Sequence, residues 1–166
     1  MRLELLYRKA TRSDTARLFE LRRKSILELA PTGMSVAQSV SWAMQMTVEG
    51  MGKRIRETNV WVAEINDVIV GWVAIRGDYL DGLYTDPKFA KQGIGTGLLS
   101  LAEARMRNAG EEVIRLEASW NSEDFYLQRG YEPAGPRPPD GARPLVKRFS
   151  KPAAPEFIRK PIAPPD

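Results

Sequence analysis

Apolar residues recur at helical spacing along the first third of the chain. A short apolar run at residues 3–7 comes first and predicts a strand. In the "TRSD" segment that follows, Thr11 lies three residues before Asp14, the spacing of a capping box at a helix start. The helix then has one apolar stripe, formed by Leu18, Leu21, Ile26 and Leu29. Pro31 and Gly33 predict its end.

A second helix is predicted from Ser35 onward, over a longer apolar stripe. The stripe consists of Val36, Val40, Met44, Val48 and Met51. Trp42 and Met46 fall on another face of the same helix. They indicate either a wide buried face or a substrate cleft or subunit contact.

The pattern changes to that of β-strands from Val60. Two β-rich segments are separated by Asn66-Asp67, which predicts a hairpin, and a third strand precedes Asp86-Pro87. A glycine-rich loop and a helix ending near Gly110 follow. The predicted strands from here on are residues 60–65, 68–75, 79–85, 113–119, 131–133 and 145–149, with a short helix at 122–129.

The order β-α-α-β-β-β-α-β-α-β-β predicts an α/β domain with a mixed sheet. A chain of 166 residues suits one domain, which we expect to span residues 1–150. Residues 151–166 contain five prolines in sixteen positions. Because proline removes ladder donors and resists helix formation, this segment is predicted to be a tail outside the core.

Composition restricts the chemistry that the chain can perform. The sequence has no cysteine and no histidine, which excludes disulfides, thiolate metal sites, cysteine nucleophiles and the serine–histidine triad. We expect no metal. A net charge of +4 suits a small anionic ligand and is weak evidence for nucleic acid. The absence of a signal peptide and of a membrane-length apolar run agrees with a cytoplasmic protein.

The glycines of "AKQGIGTGLL" raise the question of phosphate binding. A dinucleotide fingerprint beginning at Gly93 would need glycine at Leu98, and a P-loop would need Lys and Ser/Thr after Gly97. Both motifs fail. A strand, a glycine loop and a helix N-terminus still form an anion site. The alternative is a tight turn in which Gly97 packs against the sheet.

Two longer segments, "LYTDPKFAKQGIGTGLLSLAE" and "LEASWNSEDFYLQRGYEP", resemble the GCN5-related N-acetyltransferases (GNAT). The resemblance covers about residues 3–149 and includes the order of elements. It implies the acyl-CoA N-acyltransferase fold, with a mixed sheet of about seven strands and four helices. It also implies that the glycine loop holds the pyrophosphate of acetyl-CoA.

The family's loop pattern, Gln/Arg-x-x-Gly-x-Gly/Ala, fits in two registers. Alignment on the leucine pair makes Gly93 and Gly95 the motif glycines and puts Ala90 at the Gln/Arg position, a departure. Literal alignment uses Gln92, Gly95 and Gly97. The first register is preferred. The resemblance implies that acetyl-CoA is bound by Leu83, Tyr84, Thr85, Lys91, Gln92, Gly93, Ile94, Gly95, Thr96, Gly97, Asn121 and Tyr126.

Acetyl transfer from a thioester to an amine needs a neutral amine, an oxyanion donor and an acid for the leaving thiolate. The resemblance implies that Tyr126 is this acid and that Asn121 binds the pantetheine arm. The alternatives are that Tyr126 only packs and that Asn121 only caps the short helix.

The base is implied to be Asp81, in the strand before the loop. Strand alternation would put it on the face of Leu83 and Thr85, opposite Leu80, Gly82 and Tyr84. Other possibilities are a water relayed from Asp81 or Glu117, or an amine that arrives neutral. The oxyanion would meet a main-chain amide near residues 83–85.

The sequence therefore predicts an N-acetyltransferase that moves an acetyl group from acetyl-CoA directly to a primary amine of a small molecule or peptide. The alternative is a non-catalytic acyl-CoA-binding sensor or complex subunit. Lys88, Lys91 and Arg129 are predicted either to meet the adenosine phosphates or to be solvated surface charge. No nucleic-acid or membrane partner is expected. A homodimer is possible through the tail.

Overall fold

The computed structural model describes residues 4–139 and 141–149. A seven-stranded sheet has the order β1-β2-β3-β4-β5-β7-β6, in which only the β4–β5 pair is parallel. The strands are β1 (Leu5–Lys9), β2 (Asn59–Ile65), β3 (Val68–Arg76), β4 (Tyr79–Thr85), β5 (Val113–Ala118), β6 (Glu132–Pro133) and β7 (Arg143–Arg148). The helices are α1 (Thr15–Leu29), α2 (Val36–Ala43), α3 (Val48–Glu57), α4 (Ile94–Asn108) and α5 (Glu123–Leu127).

The predicted mixed α/β fold is confirmed, with five α-helices in the described residues instead of four. The helix predicted as one element from Ser35 is two helices. Met44 ends α2, and the Thr47 hydroxyl starts α3 by accepting the Gly50 N–H at 2.9 Å. The predicted tail at residues 151–166 lies outside the described residues.

The predicted apolar stripe of the second helix is also wrong for four of its five residues, including Val48 in α3, and only Met51 is buried. Val36, Val40 and Met44 are exposed, whereas Ser39 and Ala43 form the buried face of α2. These small side chains allow α2 to lie close to α1, beside Ile26 and Ala30. Apolar spacing therefore identified a helix but not the face that docks.

The sheet separates two apolar clusters. On one face α4 and α5 cover the sheet, with Leu98, Leu99 and Met106 fully buried. On the other face α1 and α3 cover it around Trp72, whose indole N–H donates to the Leu18 carbonyl at 3.1 Å. No helix in residues 4–139 and 141–149 has the length and apolar character needed to cross a membrane.

Candidate functional site

A cavity of about 590 Å³ opens where β4 and β5 separate. The two strands run parallel but pair only at Tyr79 and Arg115, next to the hydrogen bond from the Arg115 N–H to the Asp78 carbonyl. Beyond this point the β4 edge and the β5 edge both line the cavity, the latter through Leu116, Glu117 and Ser119. Diverging strand edges present unpaired amides and carbonyls, which a ligand containing amide groups can bind.

Asp81 occupies a β-bulge in β4. Ala74 of β3 lies opposite Gly82 and Ile75 lies opposite Leu80, so Asp81 is the extra residue. The bulge interrupts the alternation predicted for this strand. Leu80 and Leu83 therefore both pack into the cluster under α4, and the predicted grouping of Leu80 with Gly82 and Tyr84 is wrong.

The Asp81 carboxylate faces α3 and lines the cavity. Its Oδ2 lies 3.4 Å from the Arg54 Nε, and the same guanidinium donates to the Asp81 carbonyl at 3.3 Å. Glu117 lies across the gap on β5. The pKa of Tyr79 is raised, mainly by burial and to a smaller extent by the negative charges of Glu117 and Asp81. Two carboxylates therefore act on the same end of the cavity.

Tyr126 is on α5 and reaches the cavity from the opposite side. Its side chain is buried, with edge-to-face contacts to the rings of Phe125 and Tyr131. Burial, and secondarily the charge of Tyr84, raise the pKa of the Tyr126 phenol. At neutral pH the phenol keeps its proton and is a hydrogen-bond donor. Tyr131, by contrast, donates to Glu103 Oε1 at 2.9 Å, away from the cavity.

Asn121 also lines the cavity, in the turn between β5 and α5. The Ser119 hydroxyl donates to its Oδ1 at 2.7 Å, which fixes the amide and leaves its NH2 group for another acceptor. The residue at the N-cap of α5 is Ser122, so the alternative that Asn121 only caps this helix is wrong.

The glycine loop brings main-chain N–H groups together at the start of α4. Lys91 and Gly93 have left-handed backbones, with φ of 63° and 82°. The Gly97 N–H donates to the Gly93 carbonyl at 2.9 Å, so the N–H groups of residues 94–96 precede the first intrahelical bond. The Ile94 side chain is buried in the core, and only its main chain can contribute to binding.

The other two glycines have different surroundings. A Cβ on Gly95 would lie 3.6 Å from both the Phe125 ring and the Thr85 hydroxyl, at the mouth of the gap between β4 and α5. A Cβ on Gly97 would collide with the Tyr7 hydroxyl of β1. Gly97 therefore makes room for Tyr7 where α4 packs against the sheet.

A cation is held beside the first turn of α4. Arg129 donates to the Phe125 carbonyl at 2.7 Å and to the Thr96 hydroxyl at 2.8 Å, and its guanidinium lies 3.8 Å from the Phe125 ring centre. Lys88 lies over the Phe89 ring, at 5.9 Å, and Lys91 is exposed. The helix N-terminus and the Arg129 charge both favour an anion here.

Sequence reasoning missed two arginines that line the cavity, Arg54 and Arg22. The signal for Arg22 was its position, since it lies within the apolar stripe of α1, four residues after Leu18. For Trp42 and Met46 the sequence left open whether they belong to a buried face or to a cleft or subunit contact. Trp42 lines the cavity, whereas Met46 packs against the core.

Comparisons with known proteins agree with this architecture. The family described as "Acetyltransferase (GNAT) domain" matches residues 30–140. The uncharacterized N-acetyltransferase YafP of Escherichia coli K12 is 25% identical over 109 residues, which cover 66% of this chain and 69% of that protein.

Two solved structures share the fold. A GCN5-related N-acetyltransferase from Rhodopseudomonas palustris superposes with a TM-score of 0.82 at 22% identity, over 90% of this chain and 99% of that one. The PaiA N-acetyltransferase from Thermoplasma acidophilum, in complex with coenzyme A, gives 0.76 at 22% identity, over 89% and 100% of the two chains. With the family match spanning more than half of the sequence, the chain belongs to the GNAT family of acetyl-CoA-dependent N-acetyltransferases.

Proposed function

We propose that this protein transfers an acetyl group from acetyl-CoA directly to a primary amine of a small molecule or peptide. The observation that carries the proposal is the cavity between β4 and β5, which has carboxylates at one side and the protonated Tyr126 phenol at the other. In direct transfer one group accepts the proton of the attacking amine and another donates a proton to the departing thiolate, on either side of the thioester carbonyl. Neither role requires cysteine or histidine.

The co-substrate would lie along the gap between the two strands. Its pyrophosphate would meet the N–H groups of residues 94–96 and the Arg129 charge, and its amide-containing arm would pair with the free strand edges and the Asn121 NH2. The thioester would then lie between Tyr126 and the β4 bulge. A main-chain N–H of residues 83–85 would stabilise the oxyanion.

In the chemical step, the amine nitrogen attacks the thioester carbonyl and the C–S bond breaks. The amine proton passes to Asp81 or Glu117, directly or through water, and the Tyr126 phenol gives its proton to the departing thiolate. Arg54 holds the Asp81 carboxylate in place. Glu117 is exposed and makes no ion pair within the described part of the chain, so it is the freer of the two bases.

Calorimetric titration with acetyl-CoA, with CoA, ATP and NAD as comparisons, tests the co-substrate. Binding of acetyl-CoA and CoA alone is the expected result. A screen of amines that follows thiol release then separates an enzyme from a sensor. Acetyl-CoA binding without turnover on any amine would favour the non-catalytic alternative, and the absence of binding would contradict both.

Gly95→Ala should weaken acetyl-CoA binding by about 10-fold without loss of stability. The new methyl group meets only ordinary contacts at 3.6 Å, and alanine is about 1 kcal/mol better than glycine inside a helix. The methyl group would nevertheless occupy the space beside Thr85 and Phe125 that the phosphates must cross. Ser100→Ala, at an exposed position of α4, is the control. Equal affinity in the two variants, measured by calorimetry, would place the pyrophosphate elsewhere.

Trp42→Ala should raise the KM of the acceptor amine by about 10-fold and leave the acetyl-CoA Kd unchanged. The indole lines the cavity on the side of α2 and lies 6.3 Å from the Tyr84 ring, whereas the pyrophosphate is proposed to lie at the start of α4. Loss of one aromatic contact is worth about 1.4 kcal/mol, which is tenfold in affinity. An unchanged acceptor KM in steady-state kinetics would remove Trp42 from the acceptor site.

A further inference from the structure

A buried cation without a matching anion lies in the wall of the cavity. Arg22 belongs to α1 and is 5% exposed, between the buried residues Leu21 and Ile26. Arg22 lines the cavity, together with Asp81 and Tyr126. Arginine is almost never buried to this degree unless it is paired.

The partners of Arg22 leave its charge largely uncompensated. Nη1 donates to the Ala43 carbonyl at 3.2 Å and Nη2 to the Trp42 carbonyl at 3.4 Å, both at the C-terminus of α2. The buried Nε has no hydrogen-bond partner among residues 4–139 and 141–149, and no carboxylate there forms an ion pair with Arg22. Two long bonds to carbonyls offset only part of the cost of burying a guanidinium with five N–H donors.

The other charges of the cavity do not supply the missing anion. Asp81 is already paired with Arg54, and Glu117 lies on β5, beside Tyr79. Arg22 instead faces Tyr84, with its Cζ 5.6 Å from the ring centre. Tyr84 also acts electrostatically on Tyr126. Arg22, Tyr84 and the proposed acid Tyr126 all line the same cavity.

We infer that the acceptor is a small amino acid, and that Arg22 binds its carboxylate while its amine lies at the thioester. This inference rests on the proposed function. A planar carboxylate matches the fork of the guanidinium and would accept from the N–H groups of Nη1 and Nη2 that the two carbonyls leave free. The carboxylate would thus complete a buried ion pair that the protein alone leaves unfinished.

The test compares each proteinogenic L-amino acid with its own C-terminal amide, which keeps the amine and the side chain but lacks the carboxylate. For the best acceptor, we expect kcat/KM to be about 100-fold higher with the acid than with the amide, in keeping with the loss of a charge-assisted bidentate contact. Turnover is followed by thiol release. The same pairs are titrated calorimetrically against the protein without acetyl-CoA, so that binding is read independently of transfer.

The variants are Arg22→Met, Arg22→Lys and Arg23→Met. Arg22→Met should reduce the acid-to-amide ratio to near 1 with unchanged acetyl-CoA affinity, and Arg22→Lys should restore part of it. Apolar replacement of a buried, poorly paired cation is usually tolerated by the fold. Arg23 is exposed on the same helix, and its variant should behave as the wild type.

The possible failures are distinguishable. Acetylation of amines with equal rates for acids and amides, or a ratio that survives Arg22→Met, would overturn the inference and leave the proposed function in place. Absence of acetyl-CoA binding would contradict the proposed function. Failure of amino acids to bind preferentially over their amides to the wild-type protein would overturn the inference even if the Arg22 variants did not fold.

Discussion

Tyr126→Phe is expected to lower kcat by about 10–100-fold while acetyl-CoA binds with unchanged affinity. The substitution removes one hydroxyl and keeps the ring, which packs on Phe125 and Tyr131. Burial raises the pKa of the phenol and makes it a weaker acid, so we expect the low end of general-acid effects. Steady-state kinetics with thiol detection and calorimetry with acetyl-CoA measure the two quantities.

The matched control is Tyr131→Phe. Tyr131 is as deeply buried, but its hydroxyl donates to Glu103, which also binds Lys147. This variant should lose stability and keep kcat. A fall in acetyl-CoA affinity with constant kcat in Tyr126→Phe would instead make Tyr126 a packing residue.

The pH profile gives a second check on Tyr126. Its folded pKa lies above the ordinary value of about 10, so the phenol remains protonated at all lower pH values. Deprotonation of Tyr126 therefore should cause no loss of kcat below pH about 10. A basic limb near neutrality that disappears in Tyr126→Phe would contradict the raised pKa of Tyr126, because it would show the phenol losing its proton there.

Local patterns predicted those parts of the fold that local interactions determine. The Asn66-Asp67 turn has φ of 50° and 63°, as a tight hairpin requires, and Gly110 ends α4 with φ of 93°. The capping box of Thr11 and Asp14 is formed. Each of these features depends on residues within a few positions of one another, which is why sequence spacing could reveal them.

Long-range packing determined what the sequence could not predict. The exposed face of α2 depends on the close fit of Ser39 and Ala43 to α1, and the bulge at Asp81 depends on the register of β4 against β3. The family-like residues Tyr126 and Asn121 do meet at one cavity. The lining by Arg54 had no signal in the sequence, and that by Arg22 had only its position within the apolar stripe of α1, because charged residues in a helix are usually solvated and only the fold shows these two turned inward.

Asp86→Asn is expected to lower the free energy of unfolding by about 2–3 kcal/mol, the cost of leaving buried cationic and N–H partners without a carboxylate. Asp86 is 4% exposed, directly after β4. Its carboxylate accepts from Arg17 at 2.8 Å and from the Lys88 N–H at 3.0 Å, with Lys24 at 3.7 Å. We place the effect below that of a fully buried pair because the Arg17 side chain is 30% exposed.

The pH dependence of this loss follows from the direction of the pKa shift. Burial alone would raise the pKa of Asp86, but the hydrogen bonds from Arg17 and Lys88 and the charge of Lys24 outweigh it and lower the pKa. A carboxyl whose pKa is lowered in the folded state stabilises the fold fully above its unfolded pKa of about 3.9, and loses that contribution as the pH falls through the folded value.

Urea unfolding of the wild type and Asp86→Asn should therefore differ by a constant amount between pH 6 and 8, and the difference should shrink below pH about 4. Asp67→Asn, at an exposed turn position with φ of 63°, should be neutral because asparagine adopts the same backbone. If the difference in the free energy of unfolding between the wild type and Asp86→Asn stays the same in acid, the loss of stability comes from disrupted packing around the amide and not from the loss of the charge. A constant difference at neutral pH that disappears in acid would identify Asp86 as the ionic anchor that ties the end of β4 to α1, immediately before the loop proposed to bind acetyl-CoA.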